Sequence, residues 1–253
     1  MKKIGLVFVF LSFIMLVSCQ AKEEVIIITA TPEPTLAPTS TSVPTLEPTP
    51  TPLGQIFRDD FNQELQPGWE WFNENSNLWK ITQQGWLQIR GEDESLLNDH
   101  FQNNLLMQNA PVEGNFKIDV LVDANTVSNF QQASIFIYED DGNYFSINRG
   151  YCDVCKTRGN GIYSDYMYKN KMISFNGRAI NVNKVYLRIV VNRDKNELIA
   201  YYAIEPDKWN QLRKIPLKIN ISKVGLGVSN CESGGNSDNL LALYDYFEIS
   251  VLE

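Results

Sequence analysis

The sequence from about residue 54 onward predicts an all-β fold, an antiparallel sandwich of the jelly-roll kind, and three observations carry that prediction. Apolar residues recur at every second position in run after run. Short clusters of Gly, Asn and Asp punctuate those runs, and no stretch offers a convincing amphipathic helix. A strand sends successive side chains to opposite faces, so one apolar set at a period of two marks a sheet packed on that side. Many short strands with turns at regular spacing fit two facing sheets.

The elements follow in chain order. Phe116, Ile118, Val120 and Val122 share one face of their run. Ala133, Ile135 and Ile137 oppose Ser134, Phe136 and Tyr138, and Phe145 and Ile147 oppose Tyr144, Ser146 and Asn148. Val185, Leu187, Ile189 and Val191 oppose Tyr186, Arg188 and Val190. Turns are expected at Asp140–Asn143, Arg158–Gly161, Asn176–Gly177 and Asn192–Asn196, because Gly, Asn and Asp tolerate the tight backbone a hairpin needs.

Two segments precede this domain, giving an expected division into 1–18, 19–53 and 54–253. Lys2 and Lys3 followed by the apolar run Ile4–Val17 read as a signal peptide, since the run is too short to span a bilayer comfortably. The run ends in Leu16-Val17-Ser18-Cys19, which resembles the lipobox of bacterial lipoproteins. That resemblance implies cleavage before Cys19 and lipidation of its thiol, with several acyl chains giving stable anchoring. From Thr29 to Pro52 the chain is dominated by Thr and Pro, so it cannot bury a core and is expected to be a disordered, extended spacer. The whole reads as an exported protein, held at the cell envelope by lipid alone and facing outward.

The net charge of -8 supplies no basic stripe for phosphates, which argues against a nucleic-acid partner. With Cys19 assigned to lipid, Cys152, Cys155 and Cys231 remain, an odd number for an oxidising compartment. Cys231 bridged to one member of the pair is the first reading, a Cys152–Cys155 bridge the second, and metal binding by the three thiols the third. The single His100 leaves a zinc site or a Ser/His mechanism dependent on one residue.

Several strands carry aromatic and guanidinium groups on the face that would otherwise meet water. Phe136, Tyr138, Tyr144, Tyr186, Arg188 and Tyr201 form this candidate carbohydrate-binding set, with Tyr163 of similar character. Rings stack on the C–H faces of sugars, and Arg, Asn and Gln bridge hydroxyls. The competing expectation is that this face is covered by a loop or by the other sheet.

Phe57-Arg-Asp-Asp-Phe61, Trp69-Glu-Trp71, Trp79, Gln131–Tyr138 with Asp141–Phe145, Val185–Ile189, Ala200-Tyr-Tyr202 with Trp209, and Val224–Gly227 before Tyr244–Phe247 together resemble the concanavalin A-like, laminin G-like sandwich. In particular they resemble the C-terminal sandwich module of β-xylosidases and related uncharacterised modules. The resemblance covers most of residues 56–253. It implies first and last strands side by side, and a structural calcium ion near their ends with Asp59, Asp60 and Asp245 as ligands. The family's Ser-x-Asp-Gly-x-x-Trp turn is replaced by Ala203–Trp209, and a stalk stands where those enzymes have their catalytic domain.

Concanavalin-type hydrolases carry Glu-x-Asp-x-x-Glu on one strand to flank the scissile bond, and that pattern is absent. The acidic clusters Glu92–Glu94 and Glu139–Asp141 read as turns, and there is no Gly-x-Ser-x-Gly elbow. The expected function is therefore binding of polysaccharide or another cell-envelope component. A non-catalytic protein-interaction or structural domain is the alternative, and an unusual glycoside hydrolase comes after it.

Overall fold

The computed structural model describes residues 54–91, 104–230 and 239–252, with the side chains of 174–176 left aside. The expected leader and stalk, Cys19, His100 and Cys231 lie outside the described residues.

Within them the chain forms strands and no helix, as the period of two predicts. In order these are β1 (Gln55–Asp59), β2 (Glu70–Phe72), β3 (Trp79–Ile81), β4 (Leu87–Arg90), β5 (Leu105–Asn109), β6 (Phe116–Ala124), β7 (Gln132–Asp140) and β8 (Asn143–Cys152). Then come β9 (Gly159–Tyr168), β10 (Lys171–Ala179), β11 (Lys184–Asn192), β12 (Glu197–Ala203), β13 (Asn210–Pro216), β14 (Lys223–Ser229) and β15 (Leu241–Val251). The first sheet runs β13-β12-β11-β6-β15-β4-β3, and the second runs β10-β9-β8-β7-β14-β5-β2. β15 pairs with β6 along one side, while β4 and β1 share its other side. First and last strands therefore lie antiparallel, with Asp59 opposite Phe247.

Alternation puts the expected residues in the core. Phe116, Ile118, Val120, Val122, Val185, Leu187, Ile189 and Val191 of the first sheet are fully buried against Ala133, Ile135, Ile137, Phe145 and Ile147 of the second. Burial of this apolar surface, at roughly 25 cal/mol per Å², is the main force holding the sheets together.

Two expected turns are where the hairpins reverse: Asp140–Asn143 joins β7 to β8, and Asn192–Asn196 joins β11 to β12. The other two fall largely inside strands. Gly159–Gly161 opens β9 and Asn176–Gly177 lies within β10. Gly161 and Gly177 serve close approach rather than reversal, since a Cβ on Gly177 would stand 2.5 Å from the Tyr163 ring and one on Gly161 3.1 Å from it, whereas Gly159 takes a positive φ of 87° in open space. The β9–β10 hairpin instead turns at Lys169–Asn170, both at positive φ (53° and 57°), a pair that matches the strands' twist.

Candidate functional site

Three of the six candidate sugar-contacting residues come together on the outer face of the first sheet. Tyr186 and Arg188 leave β11 there, and Tyr201 leaves β12 directly opposite Arg188. The register continues the row across the sheet. Arg58, Glu248, Asp119, Arg188, Tyr201 and Gln211 lie side by side on β1, β15, β6, β11, β12 and β13.

Arg188 is the centre of this face. Its Nε and Nη2 donate to the two carboxylate oxygens of Asp119, the latter at 2.8 Å. Such a two-point fork fixes the guanidinium plane. The plane then sits 3.8 Å from the centroid of the Trp209 ring, a cation–π contact. Tyr186 meets Trp209 edge-on at 6.4 Å. Beside this stack lies a groove of about 440 Å³, lined among others by Lys117, Arg188, Ile199, Tyr201, Trp209 and Gln211. Trp209, Tyr201 and Arg188 remain partly accessible to solvent. At the far end of the row Arg58 bonds Asp60 and Glu248 and lies 4.4 Å over the ring of Tyr246. Although its partial burial opposes the charge, these carboxylates hold Arg58 above its ordinary pKa.

The other three candidates belong elsewhere. Phe136 and Tyr138 on β7 and Tyr144 on β8 project from the outer face of the second sheet, on the opposite side of the sandwich. Phe136 and Tyr144 are buried there with Leu105, Met107 and Met167, and Tyr138 packs against them. The single aromatic face expected from the sequence is thus two faces. The reason is physical: alternation tells which side of a strand a residue takes, but the partner strands decide which sheet that strand joins.

The second face also holds a buried polar group that sequence reasoning missed. Asp165 on β9 is fully buried, and its Oδ2 accepts from Asn148 Nδ2 at 2.6 Å and Gln132 Nε2 at 3.5 Å. Burial raises its carboxyl to about 6, against the pull of Asn148, Gln132, Ser146 and Arg213. Among the described residues, Asp165 Oδ1, Asn148 Oδ1 and Ser134 Oγ have no hydrogen-bond partner. A lone carboxylate amid Ile162, Tyr163, Tyr166 and Met167 was the signal available in the sequence. Trp209 stood among the family-like residues, but only register and packing bring it beneath Arg188.

The calcium set implied by resemblance does not converge. Asp59 Oδ1 accepts from the Phe61 amide, and Oδ2 from the Gln66 amide and the Trp69 indole, each at 2.8 Å. Asp60 is paired with Arg58. Asp245 occupies the irregularity in the β15–β6 register, between Tyr244 and Tyr246. No group of three His, Cys, Asp or Glu among the described residues is placed to hold a metal. The thiols also differ from the first reading, because Cys152 and Cys155 are joined to each other. Three residues apart at the end of β8, their Cα atoms are 5.6 Å apart, within disulfide reach, so neither is left to pair with Cys231.

Known proteins agree with this architecture. The family model described as "Beta xylosidase C-terminal Concanavalin A-like domain" matches residues 58–250. Among solved structures, a GH43 protein from Bacillus licheniformis is similar with a TM-score of 0.68 at 19% identity, over 77% of this chain and 39% of that one. Xylan beta-1,4-xylosidase from Bacillus halodurans gives 0.59 at 17%, over 76% and 38%. The beta-glucanase of Bacillus licheniformis gives 0.54 at 15%, over 79% of this chain and 100% of its own. The chain therefore spans about two fifths of the GH43 structures it resembles, and at these identities the likeness is one of fold. No curated protein matches the chain in sequence.

Proposed function

Since the chain belongs to the family of C-terminal concanavalin A-like domains of β-xylosidases, we propose that its sandwich is a non-catalytic carbohydrate-binding module and that the β11–β13 groove is the binding site. The observation that carries this reading is the Arg188–Trp209 stack, locked by Asp119 and flanked by Tyr186 and Tyr201 beside the groove. Sugar recognition needs a rigid aromatic surface for ring C–H groups and fixed polar groups for hydroxyls, and here both are held before any ligand arrives. Gln211 at the rim adds an amide able to donate and accept. The Cys19 anchor and the Thr/Pro spacer complete the proposal: the module is held at the cell envelope, facing outward toward polysaccharide.

Affinity electrophoresis of the full chain through gels containing xylan, arabinoxylan or β-glucan tests the reading. Retardation by at least one of them is expected, and Trp209→Ala should weaken it at least tenfold, about 1.4 kcal/mol, with the far-UV spectrum unchanged. Absence of retardation in every gel would defeat the proposal.

A further inference from the structure

The groove has a charge opposite to that of the protein around it. The chain carries a net charge of -8, yet Lys117, Arg188, Lys195 and Lys214 all line the groove, with Glu197 as the one acidic residue among its lining groups. The cations are not equally compensated. Lys214 is paired with Glu197. Arg188 takes both oxygens of Asp119, so Lys117, 3.8 Å from one of them, shares an acceptor already engaged. The Lys195 ammonium makes no ion pair among the described residues; only its backbone amide is bonded, to Asn192 Oδ1 at 2.9 Å. Among the described residues, four cations thus meet two carboxylates, beside a tryptophan and a tyrosine.

Register makes this a built arrangement rather than scattered surface lysines. Lys117, Val190, Ile199 and Lys214 form one row across β6, β11, β12 and β13, next to the row that holds Asp119, Arg188, Tyr201 and Gln211. Lys195 sits in the β11–β12 turn and so adds a cation at the end of the groove. A neutral sugar chain gains nothing from the uncompensated charge, whereas an acidic one does.

Resting on the binding-module reading, we infer that the groove selects anionic polysaccharide, a pyranose chain bearing acidic groups, with Lys117 and Lys195 receiving the anion while Trp209 and Tyr201 receive the ring faces. Lysine ammoniums are point charges that accept either a carboxylate or a sulfate, so the shared chemistry is the anionic sugar.

The test is isothermal titration of the full chain with glucuronoxylan, dextran sulfate, neutral arabinoxylan and poly-glutamate, at 20 mM and at about 500 mM NaCl, where the screening length falls to a few Å. At low salt one of the two acidic polysaccharides should bind about tenfold more tightly than arabinoxylan. The carboxylate and sulfate arms show which anion is preferred. High salt should abolish the preference. In the Lys117→Gln/Lys195→Gln double variant, the ratio of acidic to neutral affinity should fall to near one, with an unchanged thermal midpoint showing that the fold is kept. Equal affinity for acidic and neutral polysaccharide overturns this inference and leaves the module reading standing. Poly-glutamate binding as tightly as the acidic sugars overturns it as well, since charge alone would then suffice. Binding to none of the polysaccharides removes both.

Discussion

Asp59 is one carboxylate doing the work of three caps. It accepts from the Phe61 amide, the Gln66 amide and the Trp69 indole, and by doing so holds Phe61 at a positive φ of 50° with its ring in the core. Trp69, thereby fixed, packs against Phe247 with centroids 4.8 Å apart. The motif Phe57-Arg-Asp-Asp-Phe61 is conspicuous in the sequence, but its acidic residues look equally suited to an ion or to a turn. The difference lies in which donors the fold brings to Asp59. Asp59→Ala would leave the buried Phe61 amide without its acceptor, at about 1–3 kcal/mol before relaxation, and would remove the acceptor of the partly buried Gln66 amide and Trp69 indole, at somewhat less each. A loss of about 3 kcal/mol is expected in urea unfolding, read as a lower midpoint at unchanged slope. A midpoint within 0.5 M of the parent would mean that these bonds are replaced by water at little cost.

Among the elements, β9 and β10 show how far a residue pattern reaches and where it stops. Glycine at 159, 161 and 177 suggests reversal of the chain, yet Gly161 and Gly177 lie in extended strands beside the Tyr163 ring. The ring's hydroxyl donates to the carbonyls of Thr157 and Gly159 at 3.0 and 2.6 Å, which ties the loop after the Cys152–Cys155 bridge to the sheet. Gly177→Ala would put a methyl group 2.5 Å from that ring without any demand on φ. Overpacking of this kind costs roughly 1–3 kcal/mol, so thermal unfolding should begin several degrees lower. Gly177→Ala combined with Tyr163→Leu should recover part of the loss; an additive result would place the strain elsewhere. The core-facing residues of β6, β7, β8 and β11 needed no such correction, because each strand alternates cleanly and one face is wholly apolar.

For the molecule as a whole, the two outer faces differ in kind. The first sheet presents an accessible charged and aromatic row, while the second buries Asp165 among amides and hydroxyls. That carboxyl is raised to about 6 by burial, from an ordinary value near 3.8. The folded state therefore holds the proton more tightly than the unfolded chain. Its ionisation penalty is absent below pH 4, grows between pH 4 and 6, and is essentially complete above pH 6, where it is on the order of a few kcal/mol. Replacing it by the neutral amide in Asp165→Asn should make the protein relatively more stable at pH 7 than at pH 4. Thermal midpoints of parent and variant measured across pH 4–7 check the sign, and a difference that does not change with pH would refute the shift.

The sequence by itself determined the fold class, the core and the kinship with the β-xylosidase C-terminal sandwich. Period-two alternation, turn chemistry and the order of short motifs are local properties, and local sterics and hydrophobic burial suffice to read them. Only the tertiary structure decided which residues share a surface. Tyr144 and Tyr186 have the same local pattern, yet one lies in a covered cluster and the other beside an accessible groove, because strand partnership joins residues far apart in the chain. The same holds for Arg188, which needs Asp119 from 69 residues away to become a fixed platform, and for Trp209, which reaches it from beyond the β12–β13 turn. Sheet order is a global choice made by the packing of all strands at once, and no local spacing encodes it.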